Sequence, residues 1–275
     1  MTNVPVWIDD TPIQKFPKLQ RNISVDVLVV GAGVTGITVA YLLKKAGSTV
    51  ALIERERVAS IDTGHTTAHL TYVTDLQLQE LVRNFGEDHA QAAWDAGAVA
   101  IDEIERIIEE ERIECEFGRV PAYLHARVDA SPKKEASSLK KEADGASRLG
   151  FDATYLDSAP YFNLPAVRFA NQAKFHPRKY LRALVVKIPG SGSDVFEKSA
   201  ASEFDPKTRR VKVNRNWISF DRVVMATNNP LVGLASMTSA TLLQTKLSLY
   251  TSYAFGAQVP IGAIPECVFW DTRDP

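Results

Sequence analysis

The chain has 275 residues, 45% of them hydrophobic and 24% charged, with 32 Lys and Arg against 33 Asp and Glu for a formal net charge of −1. This apolar content suits a sizeable core and excludes a disordered chain, while a balanced charge without a basic run argues against nucleic acid as the main partner and against a polybasic membrane anchor. No run approaches the roughly 20 consecutive apolar residues of a membrane span. Asp9, Asp10 and three prolines stand where a signal peptide needs an apolar core. Two cysteines, Cys115 and Cys267, make neither a disulfide framework nor a metal-ligand cluster, so no metal site and a cytoplasmic location are expected.

Residues 1–22 read as an irregular lead-in, because Pro5, Pro12 and Pro17 interrupt any helix. Residues 25–30 (VDVLVV) form a short, nearly continuous apolar run, the pattern of a strand buried on both faces of a parallel sheet. Gly31, Gly33 and Gly36 follow at once. A helix is then predicted over 34–46, with Ile37, Ala40, Tyr41 and Leu43 apolar and Gly47 as its C-terminal stop. Residues 49–54 (TVALIE) repeat the buried-strand pattern and close on an acid, which completes a βαβ unit. A polar, hydroxyl-rich loop spans 60–74.

Residues 75–114 read as helical, with Val99, Ile101, Ile104, Ile107 and Ile108 on one face and the Glu109–Glu111 run solvated on the other. Another helix is predicted over 131–150, stopped by Gly150. Residues 151–172 read as irregular to extended, broken by Pro160 and Pro165. A helix follows over 177–187, with Pro177 in its first turn and Tyr180, Leu181, Leu184 and Val185 on one face. Short strands and turns fill 194–226, including a turn at 205–208 and a strand at 211–213. Residues 222–227 form one more buried-strand run, and 241–275 read as β structure with breakers.

The spacing Gly31-x-Gly33-x-x-Gly36, with a strand before it, a helix after it and an acid ending the next strand, is the dinucleotide fingerprint in its proper context. Gly31 permits the tight turn, Gly33 lets the backbone approach a pyrophosphate, and Gly36 lets the helix pack closely on the strand. The helix N-terminus offers N–H groups and partial positive charge to the anion. Glu54 can accept both hydroxyls of an adenosine ribose and would repel a 2′-phosphate, although Arg55 and Arg57 soften that discrimination. The fingerprint alone does not separate FAD from NAD.

The strings DVLVVGAGVTG (26–36), AYLLKKAG (40–47) and VALIER (50–55) resemble the N-terminus of the D-amino acid oxidase/glycine oxidase superfamily of FAD-dependent oxidoreductases. TGHTTAHLT (63–71), HPRKYL (176–181) and WDTRDP (270–275) are similar to a bacterial branch in which this region is often followed by a Rieske iron–sulfur domain. The resemblance implies a mixed α/β fold: a discontinuous Rossmann-like FAD-binding domain over 23–75 and 176–230, and an inserted α+β substrate domain over 76–175 and 231–275. It implies non-covalent FAD held by Gly31, Ala32, Gly33, Val34, Thr35 and Gly36 at the pyrophosphate, with Glu54 and Arg55 at the ribose. Gly64, Thr66 and Thr67 would run past the pyrophosphate and flavin, Ala201 would read adenine through its backbone, and Thr227 would end a strand beside the cofactor. Where the family often has Ala-Thr-Gly at that strand end, Asn228 replaces the glycine here.

The implied reaction is oxidation of a small amine or amino-acid-like substrate by hydride transfer to flavin, with oxygen, a quinone or a Rieske domain as electron acceptor. His69 is the one candidate for a catalytic group; His65 and His69 otherwise read as loop histidines bonded to backbone. His176 reads as shaping a helix entry, Tyr250 and Tyr253 as packing residues, and both cysteines as buried, inert thiols. No CxH…CxxH pair occurs, so the chain carries no Rieske cluster of its own. The family's closing strand–glycine–helix pattern is not seen after Thr227, which suggests that the C-terminal part is missing. Two alternatives stay open: an inactive nucleotide-binding remnant, and an NAD-dependent dehydrogenase, against which the 63–71 segment speaks.

Overall fold

The computed structural model describes residues 4–129, 131–228, 253–254 and 256–273. The elements begin with helix α1 (Val6–Asp10), strand β1 (Ile23–Val30), helix α2 (Val34–Lys45), and strands β2 (Val50–Ile53) and β3 (His69–Leu70). Helices α3 (Leu78–Phe85) and α4 (Glu87–Glu111) lead to β4 (Gly118–His125), α5 (Pro132–Arg148), β5 (Ala153–Leu156) and β6 (Ala166–Lys174). Then come α6 (Pro177–Val185), β7 (Asp194–Phe196), β8 (Ala201–Asp205), β9 (Arg210–Val213), β10 (Asn216–Met225) and β11 (Val268–Asp271). The chain divides into two compact units: Met1–Thr67 with Pro177–Gly256, and Ala68–His176 with Ala257–Pro275. The first division thus falls before residue 68, where β3 already pairs with β6, and not at 75 as the sequence suggested.

The first unit is built on a six-stranded sheet in the order β7-β2-β1-β10-β9-β8. Its first four strands run parallel, and β9 and β8 return antiparallel. Residues 27–30 and 50–53 are buried on both faces, as their unbroken apolar runs require. One cluster joins Leu28, Val30, Ala51 and Ile53 to Val211, Val213 and Leu19; α2 packs against β1, β2 and α6. The strands start in register because the Asp26 carboxylate accepts the Thr49 N–H (2.7 Å) and hydroxyl (2.8 Å). Those bonds hold the Asp26 pKa below the usual carboxylate value. Gly47, at φ +92°, closes α2 as predicted, and Pro177 is the first residue of α6, whose Tyr180, Leu181, Leu184 and Val185 are all buried. The 222–227 run is an exception, since Val223, Val224 and Met225 are only half-buried.

In the second unit the sheet runs β11-β4-β6-β3, with β5 on the same edge of β6 as β3. Pro121, which has no N–H for the ladder, sits at the register shift between Val120 and Ala122. The segment 151–172, expected to be irregular to extended, carries β5 and most of the central strand β6; Pro165 stands just before β6 and leaves it free to pair on both edges. Leu78, Trp94, Ile101, Leu139 and Ala143 from the three helices bury against Leu124, Val167 and Phe169. Trp94 and Phe169 meet edge to face at 5.7 Å.

The single helix expected over 75–114 is two helices, because Gly86 (φ +88°) breaks the run. Val99 is 64% exposed, not part of the core face that Ile101, Ile107 and Ile108 form. The irregular lead-in includes α1. Tyr253 is 94% exposed, whereas Tyr250 lies outside the described residues. Cys115 is buried but Cys267 is half-buried, with burial pushing its thiol pKa up. Among the described residues no helix is long and apolar enough to cross a membrane. Phe169→Ala should cost about 3–5 kcal/mol, the usual result of emptying an aromatic site in a core. Urea unfolding followed through the adjacent Trp94 fluorescence checks it; an unshifted midpoint would show that this cluster does not hold the unit together.

Candidate functional site

The site is assembled where β1 turns into α2. Gly31 sits at φ +100°, a conformation side-chain-bearing residues rarely adopt, and a Cβ there would stand 2.7 Å from the carbonyl oxygen of Ala226. At Gly36 a Cβ would overlap the carbonyl oxygen of Gly31, so the helix can cross the strand end this closely only without a side chain. Gly33 has a different reason: its missing Cβ leaves room for the Thr63 hydroxyl, which would be 3.0 Å away. That hydroxyl accepts the Val34 N–H (3.2 Å) and caps the helix. Sequence reasoning did not single out Thr63, although it lay in the hydroxyl-rich loop.

Backbone and carboxylate bonds fix the turn from behind. The Gly31 N–H donates to the Ile53 carbonyl (2.9 Å), and the Ala32 N–H to the Glu54 carboxylate (2.9 Å). Glu54 also accepts the Glu56 N–H (2.8 Å), and its own backbone bonds Phe196 and Ser199. A carboxylate offers about four lone-pair sites, so two remain for further donors. Val34 and Thr35 are exposed at the helix mouth, while Ala32 and Gly36 are buried beneath it. Helix geometry leaves the first-turn N–H groups without intrahelical acceptors; that of Val34 is taken by Thr63, and residues 34 and 35 are exposed. The Ala226 N–H donates to the Val30 carbonyl (2.8 Å), which carries Thr227 alongside Gly31.

Gly31, Ala32, Gly33, Val34, Thr35, Gly36, Glu54 and Thr227 are therefore brought together. Arg55 is exposed beside them, and Arg57 is taken up in an ion pair with Glu197. Gly64 is buried in a one-turn 3-10 helix, and its N–H is committed to the Ile61 carbonyl (2.9 Å), so it is not a free donor. Thr66 and Thr67 are exposed just after it. Ala201 is half-buried at the start of β8, two residues past the Ser199–Glu54 bond. His65 Nδ1 lies 2.6 Å from the Ile61 carbonyl. His69 belongs to the other unit, in β3 opposite Lys174. Its ring reaches the surface, yet surrounding protein desolvates it enough to lower its pKa below the ordinary 6.5.

Residues 26–264 match the family model described as FAD dependent oxidoreductase. The chain belongs to that family. YhfW of Bacillus subtilis (strain 168), whose name describes a Rieske 2Fe-2S iron–sulfur protein, is 34% identical over 215 residues, 76% of this chain and 41% of its own length. The OrdL oxidoreductase of Haemophilus influenzae is 27% identical over 223 residues, 78% of this chain and 51% of its own. Among solved structures, glycine oxidase from Geobacillus kaustophilus shares the fold at a TM-score of 0.61 and 16% identity, covering 75% of this chain and 56% of that one. L-proline dehydrogenase from P. horikoshii gives 0.58 at 19% identity, covering 82% and 56%. The chain thus spans about half the length of the relatives it matches. The mixed α/β fold and the family's FAD dependence agree with the sequence expectations.

FAD fits the residues present: a Cβ-free turn, a helix mouth open to a pyrophosphate, and a carboxylate with spare acceptor capacity at the neighbouring strand end. Gly36→Ala should abolish FAD uptake, and the strain should exceed the roughly 1–3 kcal/mol of ordinary overpacking; equilibrium dialysis and urea unfolding test the two effects, and wild-type uptake would refute the fit. For His69, the depressed pKa means that the unfolded chain binds the proton more readily. Stability linked to this ring is fully present above about pH 6.5 and declines as the pH falls toward the folded-state value. NMR titration of the ring should give a midpoint below 6.5; a midpoint above it would mean that the ring gains a partner as a cation.

Proposed function

We propose that this chain is the FAD-holding part of an oxidoreductase that removes hydrogen from a small amine or amino-acid-like donor. The observation that carries the reading is the turn at Gly31–Gly36, shaped so closely by Ala226, Thr63 and Glu54 that it suits a dinucleotide pyrophosphate. In this assignment the backbone from Gly31 to Gly36, with Val34 and Thr35 at the mouth of α2, binds the two phosphates, and Glu54 accepts the ribose hydroxyls. Arg55 lies at the rim, the backbone at Ala201 faces adenine, and Thr66, Thr67 and Thr227 border the remainder. Gly64 contributes by its smallness, since its N–H is used within the loop. Bound FAD supplies the redox chemistry by accepting a hydride from the donor.

An amine must be neutral to give up that hydride, because its nitrogen lone pair assists the departure. His69, the sequence candidate for handling that proton, belongs to the second unit, and its lowered pKa makes it a weak base toward an ammonium group. The donor class is supported by the neighbours named for glycine and L-proline. A Rieske domain as the next electron carrier is supported by the name of the Bacillus relative; oxygen and a quinone fit the same chemistry.

The test is anaerobic mixing of the FAD-loaded chain with a panel of glycine, L-proline, other amino acids and simple amines. Bleaching of the flavin absorbance by at least one of them is expected. A flavin that dithionite reduces but no donor does would leave a nucleotide-binding remnant as the better description.

A further inference from the structure

The lead-in before β1 carries no periodic pattern, yet it is tied at several points to the loop that leaves β2. The Trp7 indole N–H donates to the Thr66 carbonyl (2.7 Å). Ile8 lies so near Gly64 that a Cβ there would meet its Cδ1 at 2.9 Å. The Arg178 guanidinium donates from Nε to the Thr11 carbonyl (3.0 Å) and from Nη1 to the Ala59 carbonyl (2.6 Å). Farther along, the Glu197 carboxylate accepts the N–H groups of both Phe16 (3.1 Å) and Val58 (3.0 Å). These bonds pin residues 58–66 at both ends and in the middle.

The loop needs such support. Its only regular structure is the 3-10 turn at Asp62–His65, a weakly bonded element. Ala59 is buried at φ +49°, an unfavourable conformation for a residue with a side chain. Yet the loop supplies two contacts to the cofactor turn: the Ala59 N–H bonds the Ala32 carbonyl (2.9 Å), and Thr63 caps α2. Arg178 is itself buried, and burial lowers its pKa.

We propose that residues 5–16 are a strap that holds the 58–66 loop in its cofactor-binding form, with Trp7, Ile8 and Arg178 as positioning residues. This rests on the reading that FAD lies against the α2 N-terminus. A loop released from the strap populates the competent form for only a fraction of the time, and apparent affinity falls by that fraction.

The test compares the full wild-type chain with the double variant Trp7→Phe/Ile8→Ala, whose sites are only half-buried and lie outside both sheets. Hydrogen exchange of the FAD-free chain and equilibrium dialysis with FAD are the readouts. Exchange at 59–66 should quicken while β1 and β10 keep their protection, and the FAD dissociation constant should rise roughly tenfold, as loss of one hydrogen bond and one packing contact warrants. Arg178→Lys keeps the charge but loses the two-pronged geometry, and should produce the same selective loosening. Unchanged exchange at 59–66, with FAD bound as tightly as by wild type, overturns the strap. A general loss of protection across β1 and β10 also overturns it, by showing a merely structural segment. A wild-type chain that takes up no FAD overturns the cofactor reading instead.

Discussion

A carbonyl oxygen, that of Gly31, occupies the place where a side chain on residue 36 would begin. Because nothing separates them, α2 starts almost in contact with the end of β1, and its first-turn N–H groups emerge directly above the strand ends. The other parts of the site take their positions from this crossing. The end of β10 comes within the volume a Gly31 side chain would need, Thr63 fills the space beside Gly33, and Glu54 reaches the Ala32 N–H. A helix terminus contributes about 0.3–1 kcal/mol toward a nearby anion, rising to about 2 when partly buried. A hydrogen bond to a charged group adds roughly 1.5–3 kcal/mol. No single donor therefore holds a pyrophosphate, and several must converge without strain at the moment of binding.

Convergence depends on loops, and loops here are fixed by buried charge. Glu197, 2% exposed, takes two backbone N–H groups and the Arg57 guanidinium, which satisfies a carboxylate that would otherwise be costly to bury. Arg178 plays the reverse part, donating hydrogen bonds to backbone carbonyls. The second unit relies on a different force: Tyr72, Trp94, Phe151 and Phe169 pack with ring centroids 5.2–6.4 Å apart against helices whose outer faces are charged. That aromatic core holds the strands from β4 to β6 and the helices packed on them as one block.

The βαβ unit was legible because every level of its pattern agrees: unbroken apolar strands, three glycines at fixed spacing, and an acid at the next strand end. Pro177 at the head of α6 was equally plain, since its ring fits only the first turn of a helix. Gly86 was passed over because the apolar spacing continues across it, and periodicity does not register a backbone reversal. The strand β6 was obscured by Pro160 and Pro165, which break the connection and not the strand. Val99 stands two residues before the buried Ile101 in the same helix, about 200° around it, and so falls on the solvent side. Trp7, Thr63, Glu197 and Arg178 act through contacts between distant segments, mostly with backbone atoms, and such partners leave no local trace. Thr66, Thr67 and Ala201 were placed by resemblance, since spacing alone does not mark a loop or a single strand residue as a ligand.

The most direct test of the account is the visible absorption spectrum of the purified 275-residue chain, with mass analysis of whatever denaturation releases. A flavin spectrum, either as purified or after FAD addition, and release of intact FAD are expected. A folded chain that stays colourless in excess FAD would contradict it.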